Sequence, residues 1–360
     1  MPEQGVAAMV ITPGADLRYV AGYDAKPLER LTALVIPVTG SAFMVAPELE
    51  GHEARSSSFG ASSGEVITWG ETEDPFAIVA SRIAALPAGA VAVDNHMWAE
   101  RVLRLRGLLP EREQVGAGGL LRSRRLVKTA AEIEYLQEAA DAIDAVHAQV
   151  PSILRPGITE AQAGALIADA ILKAGHVQVD FVIVGSGPNG ASPHHSVSDR
   201  VMQIGDPVVV DIGGTMPSGY CSDCTRMYVL GEPTDEYQAA YDVLFSAQQQ
   251  ASAFVAPGRS CESIDARARE VMSSYSFDGS SLAEYFIHRI GHGIGLESHE
   301  EPYLVQGNEL ALEPGMAFSV EPGFYVSGKY GARIEDIVVC TDDGVRSLNN
   351  RPRELIRIPA

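Results

Sequence analysis

Four acidic residues of this chain stand where an acid is costly, beside runs that read as buried β-strands. Asp211 follows Val208-Val209-Val210, and Asp223 precedes Thr225-Arg226-Met227-Tyr228-Val229-Leu230. Glu321 follows Phe318-Ser319-Val320 in a run stopped by Pro322-Gly323, and Glu335 lies within Arg333-Ile334-Glu335-Asp336-Ile337-Val338-Val339. A charge next to a central strand stays buried only if it is paired or metal-bound. The two-residue period puts Asp223 and Thr225 on one strand face, and Arg333, Glu335 and Ile337 on another. Should the four acids converge, neighbours ~4 Å apart repel by ~4 kcal/mol per pair at an effective dielectric of ~20. They would then take up protons or hold cations. Two divalent ions balance four carboxylates, with a neutral His292 as the one nitrogen ligand. The same spacing also fits four unrelated acids in an acidic protein.

The surrounding pattern is α/β. Val6 to Thr12, Leu31 to Pro37, Ala42 to Ala46 and Val91 to Val93 read as short strands, with a helix such as Asp74 to Ala85 between them. The glycine-rich Gly116-Ala117-Gly118-Gly119 and the basic patch Arg122 to Lys128 place a domain boundary near residue 124, giving units 1–124 and 125–360. Two capping boxes follow, Thr129 to Glu132 and Thr159 to Gln162. The first predicts a long amphipathic helix carrying Ile133, Leu136, Ala140, Ile143 and Val146; the second predicts a helix through Ile167 and Ile171 that stops at Gly175. Asp235 to Val255 and Ser263 to Ser274 read as helices, and Val179 to Val184, Pro207 to Ile212, Tyr220 to Leu230, Met316 to Val320 and Arg333 to Val339 as strands.

Three further motifs carry less. Gly185-Ser186-Gly187-Pro188-Asn189-Gly190 matches a dinucleotide fingerprint, but Ala191-Ser192-Pro193-His194-His195-Ser196 offers no helix to receive a pyrophosphate, so it reads as a loop presenting His194 or His195. His288 and His292 have zincin spacing, yet Gly291, Gly293 and Gly295 preclude a helix; bent backbone placing one histidine at a crowded centre is the expectation. Cys221-Ser222-Asp223-Cys224 lacks the second pair of a zinc site and the strand-to-helix turn of a redox site.

Taken in order, "VVVDIGG", "SDCTR", "HRIGHGIGLESHEEP", "FSVEPG" and "ARIED" resemble the pita-bread metallopeptidase family, which includes prolidase (Xaa-Pro dipeptidase), aminopeptidase P and methionine aminopeptidase. "SGPNGASPHH" resembles the loop that carries a substrate-facing histidine in proline-specific members, and "LRYVAGYD" and "ERLTALVIP" resemble the amino-terminal domain of prolidase and aminopeptidase P. The resemblance implies a C-terminal pita-bread catalytic domain behind a smaller N-terminal creatinase-like α/β domain. It implies that Asp211 chelates one metal, that Asp223 and Glu335 bridge, and that His292 and Glu321 complete the second site. It also implies that His194 and His299 face the substrate, with His195 as a substitute for His194, that Arg333 supports Glu335, and that His288 lines the pocket. Two departures stand out. Eleven residues separate Asp211 from Asp223, which predicts a bulging turn, and Tyr303 follows His299-Glu300-Glu301-Pro302 where many dipeptidases of this group place an arginine for the substrate carboxylate.

The implied reaction is hydrolysis of the Xaa-Pro bond at the amino end of dipeptides or short peptides by a metal-bridging hydroxide. Glu321 exchanges the proton, and His299 or His194 stabilises the oxyanion. An oxygen-rich shell with one imidazole predicts Mn²⁺, with Co²⁺ or Zn²⁺ as alternatives. Aminopeptidase P acting on longer peptides, a metal-free C–N hydrolase and a non-catalytic peptide-binding protein are the rivals. With a net charge of −20 and no long basic run, nucleic acid and anionic membrane are excluded as partners. Four cysteines and an amino terminus without a basic, apolar leader predict a cytoplasmic protein. A homodimer is implied by the resemblance alone.

Overall fold

The computed structural model describes residues 5–277 and 279–359. The chain divides into two compact units after Arg124. In the first, strands β1 (Val6–Ile11), β2 (Ala33–Pro37), β3 (Phe43–Pro47), β4 (Glu65–Trp69), β5 (Ala90–Val93) and β6 (Gln114–Gly116) form one mixed sheet in the order β4-β3-β2-β1-β5-β6. All six β1 residues are buried because helices pack on both faces of the sheet.

The second unit holds a four-stranded sheet, β19-β9-β8-β7, made of β7 (Gln178–Ser186), β8 (Pro207–Thr215), β9 (Cys221–Leu230) and β19 (Ile356–Ile358). Both capping boxes form: Thr129 opens helix Ala130–His147 and Thr159 opens helix Glu160–Lys173. Leu136, Ala140, Ile143 and Val146 of the first, and Ile167 and Ile171 of the second, are buried, most of them against this sheet. After a two-residue pair, β10 (Ser276–Phe277) and β11 (Ser280–Ser281), come β12 (Gly291–Gly293), β13 (Glu300–Leu304), β14 (Ala317–Val320), β15 (Gly323–Val326), β16 (Tyr330–Arg333), β17 (Asp336–Thr341) and β18 (Gly344–Ser347). They make a second sheet, β13-β12-β14-β17-β18, and the hairpin β15-β16, packed against helices Asp235–Phe254 and Cys261–Ser273.

Two local expectations change. The run Arg333 to Val339 is not one strand: Arg333 ends β16 opposite Gly323, while Asp336 opens β17 opposite Val320. Ile334 and Glu335 are the link, so Arg333 and Glu335 reach one centre from a sheet-to-sheet crossing rather than by alternation. The backbone around His292 is extended rather than bent. Its glycines serve close approach, since a Cβ at Gly291 would overlap the carbonyl oxygen of Ser319 and one at Gly293 that of Glu301. The β8–β9 ladder keeps perfect register from Pro207↔Val229 to Thr215↔Cys221, so the extra length between the two aspartates lies in the turn beyond Thr215.

Candidate metal and peptide site

Register decides which side chains meet. Asp211 lies opposite Thr225 and Gly213 opposite Asp223, so both aspartates project from one face of β8–β9. His292 comes from β12, Glu321 from the end of β14, and Glu335 from the β16–β17 link. Candidate ligand atoms of Asp211, Asp223 and Glu335, of His292, Glu321 and Glu335, and of Asp223, His292 and His299 lie within 4.8 Å of one another in each triple. Asp211, Asp223, His292 and Glu335 are buried and Glu321 half-buried.

The hydrogen bonds leave this cluster short of positive charge. Thr225 Oγ1 donates to Glu335 Oε2 at 2.7 Å, but Glu335 Oε1 and Asp211 Oδ1 are buried without a partner. Burial, with the charges of Glu335, Asp211 and Glu321, pushes the Asp223 carboxyl well up; burial, with Glu321 and Asp211, does the same to Glu335. Glu321 goes the other way. Burial pushes it up, but the hydrogen bond and charge of His292, with His288 and Arg333, outweigh that and hold it at about 2. His292 Nδ1 donates to its neighbour's carbonyl, Gly293 O, at 3.1 Å, which turns Nε2 toward Glu321 Oε1 at 3.1 Å and Asp223 Oδ2 at 3.7 Å. Orphaned carboxylate oxygens, carboxyls raised by mutual repulsion and one inward imidazole nitrogen are the donor set of a hard divalent cation. The residues fit the metal that the motifs imply.

Arg333 sits at the edge of the cluster, donating from Nε to Thr225 Oγ1 at 3.1 Å, from Nη1 to Tyr325 Oη at 2.6 Å and from Nη2 to Asp211. Its support therefore reaches Glu335 through Thr225 and touches Asp211 directly. Tyr325 is fixed from its other side by His288, 2.9 Å away. His299 is exposed overall and stands edge-on to His292, ring centroids 4.1 Å apart; desolvation on the side packed into the cavity, together with His292, pushes it down to about 4. His194 is exposed on the wall of a cavity of about 1030 Å³ that takes in the acids, His288, His292, His299 and Arg333, with Phe181, Ile183 and Ile287 as apolar lining. His195 is held away from free rotation, Nε2 2.7 Å from Glu160 Oε2.

Glu160 escaped the sequence reading. Its carboxylate has no exposed surface and accepts from Ser186 N and Oγ, Asn189 Nδ2, His195 Nε2 and Ser198 Oγ, at 2.6–3.1 Å, tying down both ends of the loop that carries His194. The capping box explained its neighbours and hid it. The signal was its helical spacing with Ala163, Gly164 and Ile167, which puts an acid on the buried face. Cys221 is buried outside the cavity lining, and burial pushes its thiol up to about 12. Cys224 faces the opposite core.

Residues 134–342 match the model of metallopeptidase family M24, and residues 1–127 match the creatinase/prolidase N-terminal domain. The chain belongs to metallopeptidase family M24. It is 49% identical over 360 residues to the probable dipeptidase PepE of Mycobacterium tuberculosis, covering 99% of this chain and 93% of that protein. The Xaa-Pro dipeptidase of Lactobacillus helveticus is 34% identical over 354 residues, covering 95% and 92%. Among solved structures, the dipeptidase PepE of Mycobacterium ulcerans superposes with a TM-score of 0.93 at 50% identity, covering 100% of this chain and 95% of that one. The M24 chain is thus a mixed α/β metallopeptidase with a creatinase-like first domain, and no described helix is long and apolar enough to cross a membrane.

Proposed function

We propose that this chain is a dinuclear Xaa-Pro dipeptidase, hydrolysing the bond before proline at the amino end of a dipeptide. The observation that carries the reading is the cradle of Asp211, Asp223, His292, Glu321 and Glu335, in which Asp211 Oδ1 and Glu335 Oε1 are buried with no partner. Asp211, Asp223 and Glu335 would hold one divalent ion, and His292, Glu321 and Glu335 the other, with Mn²⁺ favoured by the oxygen-rich set. Ions held there would supply Lewis acidity and a nucleophile at neutral pH.

The protein's own groups do the rest. Glu321, held ionised, accepts the proton of the attacking water and returns it to the leaving imide nitrogen. His299, neutral above about pH 4, and His194 on the cavity wall donate to the oxygen of the tetrahedral intermediate. Arg333 keeps Asp211 and Thr225 in place. The acids attract the substrate's free ammonium, and the pocket of Phe181, Ile183 and Ile287 suits an apolar ring. A cytoplasmic homodimer is the proposed form. A cavity of about 1030 Å³ also favours a second reading, aminopeptidase P, because it has room for a longer peptide. Assaying the purified protein with Mn²⁺ on an Xaa-Pro dipeptide and an Xaa-Pro-Xaa tripeptide separates the two. Cleavage of the dipeptide, abolished by chelation, is expected; tripeptide preference selects aminopeptidase P, and activity that survives thorough chelation rejects the metal site.

A further inference from the structure

The two guanidinium groups on the cavity wall differ in how their donors are used. Arg333 is fully engaged by Thr225, Tyr325, Asp211 and the carbonyl of Pro193. Arg289 also lines the cavity and is half-buried. Its guanidinium stacks over the Tyr303 ring, 4.2 Å from the centroid, and among the described residues no carboxylate pairs with it. Stacking uses the face of a guanidinium and leaves its N–H edge available, and that edge matches the two oxygens of a carboxylate. The platform belongs to the sheet: Tyr303 is paired with His292 across β12 and β13, next to a break in register. Arg289 is also close enough for its charge to act on His299. The cavity therefore has an acidic floor that attracts an ammonium and repels a carboxylate, and one unpaired cation on the His299 side.

We propose that Arg289, stacked on Tyr303, is the residue that selects dipeptides, taking the free α-carboxylate in a bidentate pair. The inference rests on the reading of this site as a peptidase centre. A peptide that continues past its second residue presents a neutral amide to Arg289 and leaves the cation without its partner. The difference is worth about ten- to a hundredfold in kcat/KM.

The test compares wild type, Arg289→Gln and Arg289→Lys, loaded with Mn²⁺, on Xaa-Pro and Xaa-Leu dipeptides, each as free acid and C-terminal amide. Wild type should prefer the acids. Arg289→Gln should bring the acid-to-amide ratio toward one, through KM with kcat within about twofold, while Arg289→Lys restores part of the preference. Thermal unfolding matched to wild type shows that each variant folds. A wild-type ratio near one, or equal loss on acid and amide in Arg289→Gln, overturns the proposal and leaves the peptidase reading standing. Carboxylate-dependent cleavage of Xaa-Leu without cleavage of Xaa-Pro rejects the proline reading and keeps Arg289. If no dipeptide is cleaved, both fall.

Discussion

Glu335 and Asp336 are neighbours in sequence, 2% and 0% exposed, and their carboxylates meet opposite surroundings. Asp336 Oδ1 accepts from Arg226 at 2.6 Å, and Oδ2 accepts from Gln248 at 3.1 Å and from Arg353. Its charge is answered within the fold. Glu335, turned to the other side, receives one hydrogen bond from Thr225, faces Asp211 and Glu321, and keeps an oxygen with no partner. A paired buried acid is a structural element; an acid packed among acids has the chemistry of a cation ligand. The two can stand side by side because the chain changes sheets between Arg333 and Asp336.

Substitutions should separate the pair most sharply. Glu335→Gln or Asp223→Asn removes a proposed ligand and relieves repulsion, so activity falls by about 10³-fold or more while the metal-free fold is as stable as wild type or more so. Asp336→Asn strands Arg226 and Arg353 and should cost about 3–5 kcal/mol, read by urea unfolding. Equal destabilisation by Glu335→Gln and Asp336→Asn would erase the distinction.

The pH dependence of the metal-free protein comes next. Asp223 and Glu335 have raised carboxyls in the fold and ordinary ones in the unfolded chain. The fold therefore binds more protons, and stability falls as pH rises. The window from about pH 7 to 8 lies above the histidine range and below that of cysteine. There the Tm of chelated protein should decline, and added Mn²⁺ should restore more at the upper end. A flat or rising Tm would mean that the acids are already ionised together.

A smaller effect is expected at Glu160, an acid of the paired kind that serves the site at one remove. Glu160→Gln should lower kcat/KM by about ten- to a hundredfold through the His194 loop, with metal content unchanged. Burial alone would raise this carboxyl, yet bonds from Ser198, Ser186 and His195 hold it low, so the charge is what the loop requires. Loss of metal together with activity would place it in the cradle instead. Smallest of all, Cys221→Ser should leave activity within about twofold and sensitivity to thiol reagents unaltered, because a thiol pushed up to about 12 and buried off the cavity is unreactive.

Residues set beside strands were legible because strand alternation is local: Asp211, Asp223 and Glu321 could be placed from the apolar runs that flank them. Helices opened by Thr129 and Thr159 were legible for the same reason, the boxes being four-residue signals. What stayed hidden depends on contacts distant in sequence. The break after Arg333 is dictated by pairing with Gly323 on one side and by Val320 pairing with Asp336 on the other. Thr225 as the link from Arg333 to Glu335, Tyr325 between Arg333 and His288, and Tyr303 beneath Arg289 are likewise meetings of separate strands and loops.

Calorimetric titration of metal-free protein with Mn²⁺ in two buffers of different ionisation enthalpy tests the proposed cation site most directly. Two ions per chain, bound with proton release that falls together with metal affinity in Glu335→Gln and persists in Cys221→Ser, is the expected result. No saturable binding, or binding without proton release that Glu335→Gln leaves intact, would contradict it.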